Sequence, residues 1–159
     1  MASSGHQGHG HAHAGQSLNS LAFAATVHCL TGCAIGEVAG MALGTALGWS
    51  NGATIVASIV LAFVFGYGLT SIPLLRAGLP VRRVIPLALA SDTLSITTME
   101  IVDTLIVIVI PGALDAGLTD PLFWGSLAVA LVIAGGAAYP VNRRLIARGK
   151  GHAVIHAYH

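Results

Sequence analysis

Four apolar runs alternate with short polar breaks along this chain, at about Leu18–Trp49, Ala53–Leu75, Val84–Ile110 and Leu122–Leu145. Each exceeds the ~20 residues a helix needs to cross the hydrocarbon core of a bilayer. The pattern therefore predicts an all-α protein, an integral membrane four-helix bundle. The breaks carry turn chemistry. Trp49-Ser50-Asn51-Gly52 reads as a turn with an interfacial Trp, Gly78 and Pro80 interrupt the second connection, and Pro111, Gly112 and Gly117 interrupt the third. Asp120-Pro121 is a helix start, with Asp as N-cap and Pro at the first helical position.

Composition agrees with the pattern. Of the 159 residues, 55% are hydrophobic and only 8% charged, which is too apolar for a soluble domain of this size. A net charge near +1, without interleaved aromatic and basic residues, gives no reason to expect nucleic acid as a partner. Two cysteines cannot make a disulfide framework, and both lie in one apolar run. Residues 1–17 form a His/Gly-rich tail, with His6, His9, His11 and His13 at near-alternate positions. Such a segment buries nothing and is expected to be disordered, and it lacks the charged start and short apolar core of a signal peptide. Residues 18–147 are the expected transmembrane domain. Residues 148–159 are a basic tail with His152, His156 and His159. The histidines at the two ends read either as weak metal collectors or as polar ends without a role.

Basic residues predict the orientation. Arg76, Arg82 and Arg83 flank the second connection, and Arg143, Arg144, Arg148 and Lys150 follow the fourth run. The first connection has no Lys or Arg, and the third carries only Asp115 and Asp120. The positive-inside rule then puts the second connection in the cytoplasm, and with four spans both termini are cytoplasmic.

Against this background the ionisable residues stand out. In the first run Cys29, Cys33 and Glu37 recur at spacing four and share one helical stripe, with Gly36, Gly40 and Gly44 in the same arc and Gly32 at its edge. Small residues at that spacing let another backbone approach closely. A packing seam alone would explain the glycines and cysteines, yet it gains nothing from Glu37. In the third run nine of the fourteen residues from Ser91 to Thr104 are Ser, Thr, Asp or Glu. Asp92, Ser95, Met99, Glu100 and Asp103 share one face at spacings of three and four. The hydroxyls can be absorbed by bonds to the preceding turn, but three carboxyls cannot. An ionisable side chain within a spanning segment is by default functional and turned toward protein.

Matching the midpoints of the two runs puts Cys29 near Asp92, Cys33 near Ile96 and Glu37 near Glu100. An error of four residues, at ~1.5 Å each, amounts to one turn. Within that error Cys29, Cys33, Glu37, Met99, Glu100 and Asp103 can meet, with Asp92 as a further residue on the path. His28, about 100° round the helix from Cys29, contributes only by facing a neighbour. Thiolate, thioether and imidazole suit Cu(I) or Zn(II), and carboxylates suit Zn(II) or a proton. The expected metal ligands are thus Cys29, Cys33, His28, Glu37, Met99, Glu100 and Asp103, for copper or zinc.

The segments His28-Cys29-x3-Cys33-x3-Glu37, Asp92-Thr93-x4-Thr98-Met99-Glu100-x2-Asp103 and Tyr139-Pro-x-Asn142-Arg-x-Leu-x-x-Arg148-Gly-Lys-Gly-His152 resemble an uncharacterised family of small bacterial membrane proteins, one that carries a domain-of-unknown-function label. The resemblance covers roughly residues 18 to 156. It implies a four-span architecture and is silent on activity. The expected protein is a multi-pass component of a bacterial inner membrane that binds and transports copper or zinc. Four helices leave little room for a complete pathway, so a homo-oligomer is expected. Two other classes fit the same residues: a redox enzyme cycling the cysteines against a quinone, and an accessory subunit whose acids pair with a partner's basic residues. Helical i, i+4 geometry is awkward for a disulfide, so a non-enzymatic role is preferred.

Overall fold

The computed structural model describes residues 17–148, so the expected behaviour of the His-rich ends concerns residues almost wholly outside the described ones. Among the described residues there are four long helices and no strand: α1 (Leu18–Leu47), α2 (Asn51–Arg76), α3 (Val81–Val109) and α4 (Pro121–Ala147), with a single 3-10 turn at Ala113–Asp115. The turn signals act where they stand. Gly48 ends α1 in the left-handed region at φ 64°, which a glycine adopts without steric cost. Ser50 then caps α2 through Ala53 N. Asp120 caps α4, its Oδ1 accepting from Leu122 N at 2.8 Å, with Pro121 as the first helical residue.

The closest packing is between α1 and α2, and glycine makes it possible. A Cβ added to Gly32 would lie 2.8 Å from Gly66 Cα, and one added to Gly36 would fall on the backbone of Ala62. Gly40 abuts the backbone and hydroxyl of Ser58, and Gly44 abuts the side chain of Thr54. Four successive turns of α1 thus rest directly on α2, the close approach that a small-residue stripe permits. The stripe predicts this seam, while its partner residues on α2 form no comparable pattern in the sequence. The column of side chains one step round α1 is left to face α3 and α4, where Cys29, Cys33, Ile96, Met99, Ala134 and Ala138 share one buried cluster with Ala62.

The polarity of the bundle is inverted relative to a water-soluble protein. Its outer surface carries Phe23, Val56, Val60, Val64, Ile101, Leu105, Val109 and Val132, all exposed, whereas Asp92, Ser95, Glu100, Asp103 and Asn142 are buried. Three helices, α1, α2 and α4, are long and apolar enough to cross a membrane. The sequence pattern predicts four. α3 has the length, at 29 residues, but its carboxyls and hydroxyls lower its mean apolarity. Those polar residues lie on its inner face, and its outer face is Ile85, Leu89, Leu94, Ile101, Leu105 and Ile108.

Candidate cation site

The candidate side chains lie where α1 and α3 run side by side, with α2 closing one flank. The helical periodicity of α3 places Asp92, Ser95, Met99, Glu100 and Asp103 on its buried face, as the spacing predicts. Cys29 and Cys33 are buried to 1% exposure on α1, and Glu37 is half-buried one turn further along.

These groups form a series of levels along the bundle. At the first level Asp92, wholly buried, accepts from Thr70 Oγ1 at 2.5 Å and from Ser91 Oγ at 2.8 Å. His28 Nε2 meets the same Thr70 hydroxyl at 3.0 Å, so His28 faces α2. Cys29 lies near both Asp92 and Ser95. The next level pairs Cys33 with Glu100, within hydrogen-bonding reach. At the third, the Glu37 carboxyl is within hydrogen-bonding reach of Asp103, with Glu100 close by. An ionised carboxylate only accepts hydrogen bonds, so two carboxyls bond directly only through a shared proton.

The helix midpoints predict the Cys29–Asp92 level. Glu37 sits about three residues further along α3 than predicted, a shift of less than one turn. The consequence is a correction to the single compact site. Cys29, Cys33, Glu37, Met99, Glu100 and Asp103 share one interface but are spread along it, and among the described residues no three His, Cys, Asp or Glu side chains are grouped to hold one metal ion. His28 and Asp92 belong to a separate polar cluster at the far end. Both thiols are free.

A cavity of about 390 Å³ opens above the third level, at the end of the bundle that carries the α1–α2 and α3–α4 connections. Glu37, Glu100 and Asp103 line its floor. Glu37 Oε1, Glu100 Oε1 and Asp103 Oδ1 are buried without a hydrogen-bond partner, as is Ser95 Oγ deeper in. Leaving a buried carboxylate unpartnered is costly, so an unmet demand for positive charge or protons is concentrated here. At the opposite end the space is filled by Leu74 and Val84 with Leu79 and Leu87, and by Ala22, Ala25 and Ile146.

Several polar contacts are invisible to sequence spacing. Thr70 is one of the hydroxyls of α2, and nothing local marks it as the bridge between His28 and Asp92. Asn142 Nδ2 donates to Thr26 Oγ1 at 2.9 Å in the interior between α4 and α1, and Arg143 Nε donates to Asn19 Oδ1 at 2.8 Å. Asp115, exposed in the third connection, accepts from Asn51 Nδ2 at 2.9 Å and lies at the cavity rim.

The fold and site define a small helical bundle of membrane character with a buried acid-and-thiol column. The chain belongs to the family described as a domain of unknown function (DUF4396), which matches residues 19–151. No curated protein and no solved structure matches the chain.

Proposed function

We propose that this is a multi-pass membrane protein, in a bacterial inner membrane, that takes up a cation at the cavity floor and passes it along the acid-and-thiol column, with copper or zinc as cargo. The observation that carries this reading is the cavity floor itself: three carboxyl oxygens buried without partners at the end of an open cavity, backed by Cys33 and Cys29. Oxygen ligands at the entrance admit a hydrated divalent ion, and the thiols behind them favour a softer or borderline one. The serial arrangement suits transfer. A site that holds an ion loosely at successive levels releases it more readily than one closed tetrahedral cage.

In this reading α3 spans as the fourth helix, its polar face covered by α1, α2 and α4. The Arg-bearing end is cytoplasmic by the positive-inside rule, both termini lie there, and the cavity opens to the opposite side. Homo-oligomerisation through the apolar outer faces remains part of the proposal. The test is elemental analysis of protein purified without chelator under reducing conditions, beside a Cys29→Ser, Cys33→Ser variant. Bound Cu or Zn that falls away in the variant is the expected result. Metal-free wild-type protein that also fails to bind added Zn(II) or Cu(I) would overturn the metal assignment.

A further inference from the structure

The cavity is larger than a bare ion requires, and its walls differ in chemistry from its floor. We infer that it takes a small organic cation, an ammonium group on an apolar body, with the charge seated on Glu37, Glu100 and Asp103. A cavity of roughly 150 Å³ already accommodates a benzene-sized molecule, and this one measures about 390 Å³. An ion bonded to oxygen at roughly 2.0–2.6 Å fills a small part of that space.

Above the carboxyls the cavity walls are mainly apolar, with Met41, Ile59, Val107, Phe123 and Leu127, and carry hydroxyls such as Thr54 and Ser58 between them. Mostly apolar walls with a few converging polar groups are the composition of a site for an organic ligand. The floor supplies the second, independent observation. Glu100 and Asp103 are only 5% and 6% exposed, and each keeps one carboxyl oxygen unpartnered. A primary ammonium brings N–H donors to a floor whose acids have hydrogen-bonding capacity left over. This inference shares the carboxyl floor with the metal reading and goes beyond it, because it adds the cavity walls and leaves the thiols aside.

The test is isothermal titration of the full chain in phosphatidylglycerol nanodiscs, which carry no amine, with n-alkylammonium ions from methyl to hexyl and with empty discs as the blank. Affinity is expected to rise about threefold to fourfold per methylene while the walls accept more of the chain. Alcohols of the same length should fail to compete, and Glu100→Gln should lower affinity at least tenfold. Val107→Phe, which narrows the cavity and leaves the acids in place, should flatten the dependence on chain length. Affinity independent of chain length, or equal in wild type and Glu100→Gln, would overturn the inference and leave the cavity a water-filled entrance. Discs containing phosphatidylethanolamine separate two sources of the same chemistry: weakened amine binding there identifies the lipid headgroup as occupant, and unchanged binding identifies a soluble amine. A Zn(II) titration of the same discs reports the metal reading separately. Amine binding without zinc binding supports this inference alone, and zinc binding without amine binding overturns it.

Discussion

Gly32 of α1 and Gly66 of α2 meet backbone to backbone, so that a Cβ on Gly32 would lie 2.8 Å from Gly66 Cα and 2.9 Å from its nitrogen. Neither atom can move without moving a helix. A Cβ on Gly66 would in turn lie 2.5 Å from Cδ1 of Ile96 on α3, so the end of that side chain is seated against the glycine. The contact therefore sets the distance between α1 and α2 and the depth at which α3 seats against them. Gly32→Ala should destabilise the protein by about 1–3 kcal/mol through overpacking. Gly68→Ala, with nothing within 4 Å of its added Cβ, should be neutral or stabilise by up to ~1 kcal/mol through helix propensity. Thermal unfolding of the two variants in one detergent checks the pair, and equal midpoints would contradict the seam.

Glu100→Gln should impair cation binding far more than Asp115→Asn. Glu100 lies buried on the cavity floor with one oxygen unpartnered, while Asp115 is exposed at the rim with Asn51 as partner. A loss of at least tenfold in Zn(II) or Cu(I) affinity is expected for the first and less than threefold for the second, measured by competition with a chromophoric chelator.

The serial arrangement predicts which losses combine. Cys33 and Glu100 share a level, so Cys33→Ser and Glu100→Gln should be strongly non-additive in metal affinity, as expected for groups that act together. Cys29 and Asp103 lie at different levels of the column, and Cys29→Ser with Asp103→Asn should combine additively, within about 0.5 kcal/mol. Metal titration of both double-mutant cycles decides the matter. Equal coupling in the two cycles would restore a single compact site.

Thr70→Val removes the hydroxyl that joins His28 to Asp92 and leaves a buried carboxyl with one donor fewer. A cost of about 1–3 kcal/mol is expected, read as a lower unfolding midpoint. Thr70→Ser keeps the hydroxyl and should recover most of it. Failure of Ser to restore stability would show that the methyl group, not the hydrogen bond, matters at this position.

Orientation is checked with reporters. An alkaline phosphatase fused after His159 should be inactive and a fluorescent protein at the same point bright, because the proposed orientation puts the Arg-bearing end in the cytoplasm. The opposite pattern would invert the side on which the cavity opens.

Helical periodicity made much of this protein readable before any fold was drawn. The spacing-four recurrence of Cys29, Cys33 and Glu37 determined that they share a face. The three-and-four spacing of Asp92, Glu100 and Asp103 did the same on α3, and Asp120-Pro121 marked the start of α4. These are local properties, set by 3.6 residues per turn and by caps within a few residues of each helix end. Which helix each face meets is not local. The glycines of α1 announced a close neighbour, but only packing chose Gly66, Ala62, Ser58 and Thr54, because a helix seam depends on the shapes of both surfaces. The levels of the acid-and-thiol column followed from that choice. The seam seats α1 on α2, Ile96 seats α3 against Gly66, and the resulting register brought Glu37 to Asp103, left Cys33 with Glu100 and carried His28 to Thr70. The cavity above them is lined by residues of all four helices and of their connections, and no single segment encodes it.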